Sequence, residues 1–295
     1  MTKPAIKQII ETRMSGDGMV QTGIRGVQLF RATEALPCVP AVYEPCVIAI
    51  VSGGKETVLD GHHHRYDSRH YLVCPMSLPV EAGTPTATPD NPLLGVYIAL
   101  DTRLMTELTM EMDATGGTRP AAPETSARGI RLSPWDEGFA EALLRLTQLD
   151  DPTDAAILGE ARLRELHYAI LKGAAGPFAR QAFAPGNGIA RAIAHLSQHL
   201  HDTVSIDDMA ARAGMSRAVF HRRFKQATSM SPIQFVKAMR LNHAAMKISA
   251  GMTVSAAAME VGYVSPSQFS REFKRMYGTS PRRWSDAYSA ETGRP

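Results

Sequence analysis

Cysteine is scarce in this 295-residue chain: the three present, Cys38, Cys46 and Cys74, are an odd number, fall close together and include no Cys-x-x-Cys pair. A disulfide framework or a structural zinc site is therefore not expected. Long apolar runs are also missing. The longest, Cys46 to Val51, is far shorter than the about 20 residues a membrane-spanning helix requires. The N-terminal stretch MTKPAIKQIIETRM mixes charge into every turn, which argues against a secretory signal and for the cytoplasm. No Ser/His/Asp arrangement, phosphate-binding loop or dinucleotide fingerprint appears, so neither a cofactor nor an enzyme is expected.

What is present points to two domains of unlike charge. The length suits about two cores. Net charge is +3, but residues 185–295 hold 15 Lys+Arg against 7 Asp+Glu, a net of +8. The first 184 residues hold 17 against 22, a net of −5. A basic domain on a slightly acidic one suggests that only the C-terminal part meets a polyanion.

Between about residues 20 and 100, short β-rich runs (VYEPCVIAIV, KETVLDG, HYLVCP, GVYIAL) alternate with turn residues, and prolines at 37, 40, 45, 75, 79, 85, 89 and 92 exclude long helices. An all-β sandwich or barrel is expected. Helix follows from Asp101 (TRLMTELTMEM), then a loop over 114–127. Ser133-Pro134-Trp135 is expected to open a helix with buried Phe139, Leu143 and Leu146. A further helix over about 154–172 has Ile157, Ala161 and Leu166 among its apolar positions. These helices either mediate a homodimer or cover the sheet. Residues 173–188, rich in Gly and Pro, read as a hinge.

The most specific feature is an internal repeat. Residues 216–235, SRAVFHRRFKQATSMSPIQF, and 265–284, SPSQFSREFKRMYGTSPRRW, match at a constant offset of 49 in Ser216/Ser265, Phe220/Phe269, Arg222/Arg271, Phe224-Lys225/Phe273-Lys274 and Ser231-Pro232/Ser280-Pro281. Each copy follows a short helical segment ending in glycine, with alanine four residues earlier (Ala210 to Gly214, Ala258 to Gly262). Helix, glycine turn, serine cap, helix is the layout of a DNA-binding helix-turn-helix, here at about 205–227 and 254–277.

Spacing then assigns faces. Phe220 and Phe224, like Phe269 and Phe273, are four apart, so each pair points inward and leaves the other side to DNA. The base-contacting candidates are Arg217, Ala218, His221 and Arg222 in the first unit and Ser267, Gln268, Ser270 and Arg271 in the second. Arg suits guanine and Gln suits adenine in the major groove. Phosphate contacts are expected from Lys225, Lys274 and Arg275 and from Ser205, Ser216 and Ser265 at helix starts. Ser205 with Asp208 also has ordinary capping-box spacing. Between the units Ser231-Pro232 starts a helix to about Ala250, with Phe235, Val236, Met239 and Met246 packing against both. At roughly 28 Å it is long enough to hold the reading helices about one DNA turn apart. The preceding helix is expected to bury Ile189, Ile193, Leu196 and Leu200.

Residues 189–288 resemble the AraC/XylS family of bacterial transcription regulators; VSAAAMEVGYVSPSQFSREFKRMYGTSPRRW looks like its signature almost position for position. By that resemblance Ala218, His221, Arg222, Ser267, Gln268 and Arg271 fall where family members contact bases. Ala218 departs in chemistry, offering only a methyl group. The N-terminal half, with VYEPCVIAIVSGGKETVLDG, HYLVCPMSLPV and PLLGVYIALD, resembles a subfamily with a cupin-like effector domain. The implied architecture is α+β: a cupin-like β-barrel or sandwich with following helices over 1–180, then an all-α tandem helix-turn-helix domain over 181–295. The implied partners are double-stranded promoter DNA, RNA polymerase and a small-molecule effector, with activation the expected sign.

Three other constellations carry weaker readings. His62-His63-His64 suggests a cupin metal, and hence a metalloenzyme fused to a DNA-binding module, but Asp67 stands where a glutamate belongs and the second cupin motif is missing; no metal is expected. Arg65 and Arg69 have a spacing that grips cyclic-dinucleotide phosphates in another family, though such pairs are ordinarily solvated. Cys38, between Pro37 and Val39 in an expected loop, is the better sensor thiol, since Cys46 and Cys74 lie in apolar runs. An effector-independent DNA-binding protein is the remaining alternative.

Overall fold

The computed structural model describes residues 2–115 and 129–292, with side chains to 287. The chain opens on a helix that its mixed composition did not announce, α1 (Thr2–Arg13). Ile6 and Ile10, four apart, are fully buried and pin it to a sheet. Nine strands follow: β1 (Gly18–Gln21), β2 (Val27–Ala32), β3 (Leu36–Tyr43), β4 (Cys46–Ser52), β5 (Gly54–Leu59), β6 (His62–Asp67), β7 (His70–Cys74), β8 (Leu78–Thr84) and β9 (Leu93–Ala99). Next come α2 (Thr102–Ala114), β10 (Arg131–Pro134), α3 (Glu137–Thr147), α4 (Pro152–Lys172) and α5 (Gly176–Ala182). The strands form two antiparallel sheets, ordered β1-β2-β9-β4-β7-β10 and β3-β8-β5-β6.

The apolar run in β4 is continuous because both faces of that strand are covered. Val47, Ala49 and Val51 face the helical layer of α1 and α3–α5, while Cys46, Ile48 and Ile50 face the second sheet. β7 repeats the alternation, with Tyr71 and Val73 on one side and Leu72 and Cys74 on the other. Cys46 and Cys74 are direct cross-strand partners. His167 of α4 ties the helical layer together: its Nδ1 meets Leu163 O at 2.6 Å and its Nε2 accepts from the Asp101 amide at 3.3 Å, the arrangement of a neutral ring. Burial lowers its pKa accordingly.

Several expectations are corrected here. Ser133-Pro134 ends an edge strand paired to β7 from Arg131↔Val73 to Pro134↔His70, and the helix begins only at Glu137, capped by Asp136. An edge strand tolerates proline because its outward N–H has no partner to lose. Phe139, Leu143 and Leu146 are buried, but Ile157 is 71% exposed and Ala161 is also exposed. Leu166 is buried as expected, and the stripe of α4 continues through Ala155, Gly159 and Ile170. The presumed hinge contains α5, whose Phe178 and Ala179 belong to the first core. Of the expected loop over 114–127, all but the first two residues lie outside the described residues.

The C-terminal helices are α6 (Gly188–Gln198), α7 (Ile206–Arg212), α8 (Arg217–Thr228), α9 (Pro232–Ser249), α10 (Val254–Glu260), α11 (Pro266–Tyr277) and α12 (Pro281–Thr292). α9 starts with a complete capping box between Ser231 and Gln234. Its first half buries Phe235, Val236 and Met239 with the first unit, and its second half buries Leu241, Ala244, Ala245 and Ile248 with the second. Met246, expected among the packing residues, is 41% exposed. α9 also docks on the β3-β8 sheet. Asn242, 2% exposed, donates from Nδ2 to Ala41 O (2.7 Å) and Val80 O (2.8 Å) and accepts at Oδ1 from Tyr277 OH (2.8 Å).

Candidate nucleic-acid interface

Each unit is a short helix, a glycine turn and a longer helix. Gly214 (φ +69°) and Gly262 (φ +87°) take the left-handed conformation that ends α7 and α10. The closing bonds also repeat: Met215 N to Ala210 O (3.0 Å) and Tyr263 N to Ala258 O (2.9 Å). Gly262 is doubly constrained, since a Cβ there would stand 2.8 Å from Leu200 O and 2.9 Å from His201 O. At the far ends Ser229 (φ +68°) and Gly278 (φ +75°) cap α8 and α11, at the 49-residue offset of the repeat.

The two paired phenylalanines of each reading helix are buried, so the opposite side faces solvent. On α8 this exposes Arg217, Ala218, Arg222 and Lys225, with His221 half-buried. On α11 it exposes Ser267, Gln268, Ser270, Arg271, Lys274 and Arg275. Ser205 and Ser265 accept bonds from the Asp208 and Gln268 amides, both at 3.3 Å, whereas Ser216 occupies the cap position without making a cap bond. Thr253 caps α10 as Ser205 caps α7, a counterpart that sequence reasoning passed over.

The units differ in how their polar groups are held. Arg217 is paired with Asp207 of α7 at 3.2 Å, an exposed ion pair of a kind that contributes little to stability. In the second unit Glu272, missed from sequence, collects Lys237 Nζ of α9 (3.2 Å), Tyr263 OH (2.8 Å) and Gln268 Nε2 (3.2 Å). Burial alone would raise its carboxyl, but these three donors outweigh that and hold it below its ordinary value. Arg223, Arg282 and Arg283 are further exposed cations not singled out beforehand. Arg240, by contrast, is occupied structurally, donating to Leu200 O and Asp202 O beyond the end of α6.

The N-terminal candidates do not converge. Arg65, on β6, pairs with Glu56 (2.9 Å), while Arg69 lies in the turn beyond and forms a two-bond pair with Asp67. They therefore do not share a strand face. Cys38 sits in β3 rather than in a loop, half-buried, with burial pushing its thiol up and away from thiolate. His63 bonds Glu56 at 2.7 Å, and His62, His63 and His64 line a cleft of about 250 Å³ with Leu59 and Ser229. Among the described residues no three His, Cys, Asp or Glu side chains are grouped to hold a metal.

Residues 23–178 match the model of the AraC-type transcriptional regulator N-terminus, more than half the chain, and residues 209–287 match a helix-turn-helix domain. The chain belongs to the AraC-type transcriptional regulators. This is a family of regulators rather than enzymes, and its two-part architecture is the α+β arrangement described above. The regulator MtrA of Neisseria gonorrhoeae is 38% identical over 94 residues, 30% of this chain and 31% of that protein. The regulatory protein SoxS of Escherichia coli K12 is 30% identical over 90 residues, 30% of this chain and 84% of that protein. The match to MtrA thus spans about a third of that relative's length. ToxT of Vibrio cholerae shares the fold across both halves, covering 88% of this chain and 97% of its own, with a TM-score of 0.58 at 10% identity. Among the described residues no helix is long and apolar enough to cross a membrane.

Proposed function

We propose that this regulator reads promoter DNA mainly through α11, with α8 contributing fewer base contacts and more phosphate contacts. The observation that carries this is the exposed side of α11, where Gln268 and Arg271 stand ahead of Lys274 and Arg275 on a helix fixed from behind by buried Phe269 and Phe273. Base-reading groups near the N-terminal turns and cations one turn later match the geometry of a helix entering the major groove. On α8, Arg217, His221 and Arg222 flank Ala218, whose methyl suits only thymine. Ser205, Ser216 and Ser265 bring helix starts, and Lys225 a cation, to the backbone. Selection of the full-length protein on randomised duplex DNA is expected to recover a site of two elements about one helical turn, roughly 34 Å, apart. A single uninterrupted element would contradict the tandem reading.

The N-terminal sandwich supplies the response to a small molecule. Lys55 lies opposite Tyr66 in the β5–β6 register and shares the inner face of its sheet with Thr57, whose hydroxyl is 3.0 Å from Tyr43 OH. Burial lowers the lysine pKa, and no carboxylate is paired with it among the described residues. A half-buried lysine beside hydroxyls suits a ligand carrying an acidic group. Screening a panel of small carboxylic acids by thermal shift is expected to find a stabiliser whose effect Lys55→Met removes. A stabiliser that acts equally on the variant would place the effector elsewhere.

Membership of this regulator family supports action in the cytoplasm as an activator that recruits RNA polymerase, and the exposed Ile157 and Leu158 of α4 support a homodimer contact there.

A further inference from the structure

Gln268 is an amide whose usefulness as a base reader depends on which way it faces. Glu272, one turn later, is ionised and can only accept, so the Gln268 nitrogen must face it, as the 3.2 Å Nε2 to Oε1 contact records. Glu272 cannot swing to follow Gln268, because it is held from two other elements. Lys237 Nζ of α9 grips the same oxygen at 3.2 Å, and Tyr263 OH, from the turn before α11, grips the other at 2.8 Å. The Glu272 side chain is 15% exposed, so little water competes for its carboxylate. With one amide hydrogen directed at Glu272, Gln268 presents outward its carbonyl oxygen and its second hydrogen. These are the acceptor and donor that adenine N6 and N7 require.

We infer that Glu272 is a positioning residue for sequence readout: anchored by Lys237 and Tyr263, it presets the Gln268 amide to select adenine at one base pair. This rests on the reading of α11 as the base-contacting helix. The energetic logic is preorganisation, since an amide already turned the right way loses less freedom on docking and penalises bases that need the opposite orientation. Nothing equivalent holds the first unit, where the matching positions, 49 residues earlier, are Val219 and Arg223.

The test compares full-length Gln268→Ala, Glu272→Ala, Glu272→Gln and Arg271→Ala by sequencing the DNA each retains from a randomised duplex pool. Thermal unfolding is followed in parallel. Gln268→Ala should relax preference at one base pair by roughly 5- to 150-fold, the equivalent of about 1–3 kcal/mol. Glu272→Ala should relax the same base pair and leave the others intact, while Glu272→Gln, whose side-chain carbonyl can still accept from Gln268, should retain the preference. If Gln268→Ala relaxes a base pair that Glu272→Ala leaves unchanged, or if Glu272→Ala weakens binding to all sequences alike, the positioning role is overturned. If neither Gln268→Ala nor Arg271→Ala alters any base preference, α11 is not the reader and the underlying assignment falls with it.

Discussion

Replacing Phe273 with alanine should cost about 3–5 kcal/mol, the usual range for deleting a fully buried aromatic side chain. Phe273 is 0% exposed and touches Tyr277, Phe269 and Trp284, with ring centroids 4.6, 5.5 and 5.8 Å away. The core it anchors is small: ten buried residues among those described, separate from the two larger clusters. A small core has few neighbours to collapse into the cavity, so the loss should be confined to α10–α12. Hydrogen exchange is expected to show lost protection there, with α6–α8 retained and operator binding reduced to the level of random DNA. Phe224 has the same chemistry in the first unit, but its cluster continues into the β3-β8 sheet. If Phe273→Ala and Phe224→Ala unfolded the same residues, the two units would not be energetically separate.

Asn242→Leu is the second large effect expected. The substitution strands two strand carbonyls and the Tyr277 hydroxyl, and each buried group left unpaired costs about 1–3 kcal/mol. Asn242 joins β3 and β8 of the N-terminal sandwich to the last residue of α11, so its loss should do more than destabilise. It should let the second unit turn independently of the sheet, seen as raised exchange at Ala41 and Val80 and as operator binding that no longer responds to effector. Tyr277→Phe, which strands only the Asn242 carbonyl oxygen, should be milder in both respects. Full retention of effector response in Asn242→Leu would mean that coupling runs elsewhere.

These two predictions draw on different depths of information. Phe273 was legible as a core residue from the repeat alone, because two phenylalanines four apart on a short helix define its inner face. The β-sandwich was legible from alternating short runs and frequent prolines. Asn242 was not, because a polar residue in an amphipathic helix gives no sign that its partners lie about 160 or 200 positions earlier in the chain. Glu272 escaped notice for a related reason: its partners Lys237 and Tyr263 come from two other segments. Ser-Pro followed by an apolar stripe carries the cap chemistry of a helix start, and only the pairing to β7 makes β10 a strand. Spacing alone does not reveal that Arg65 and Arg69 each have a carboxylate of their own, Glu56 and Asp67.

The most direct test of the central claim is to measure Arg271→Ala and Lys274→Ala against both a selected operator and random DNA over a range of salt. Arg271→Ala should lose about 1–3 kcal/mol on the operator alone and relax preference at one base pair. Lys274→Ala should weaken both DNAs together and flatten the salt dependence by about one counterion. Equal losses for both variants on both DNAs would contradict the reading of α11 as a helix that divides base recognition from phosphate contact.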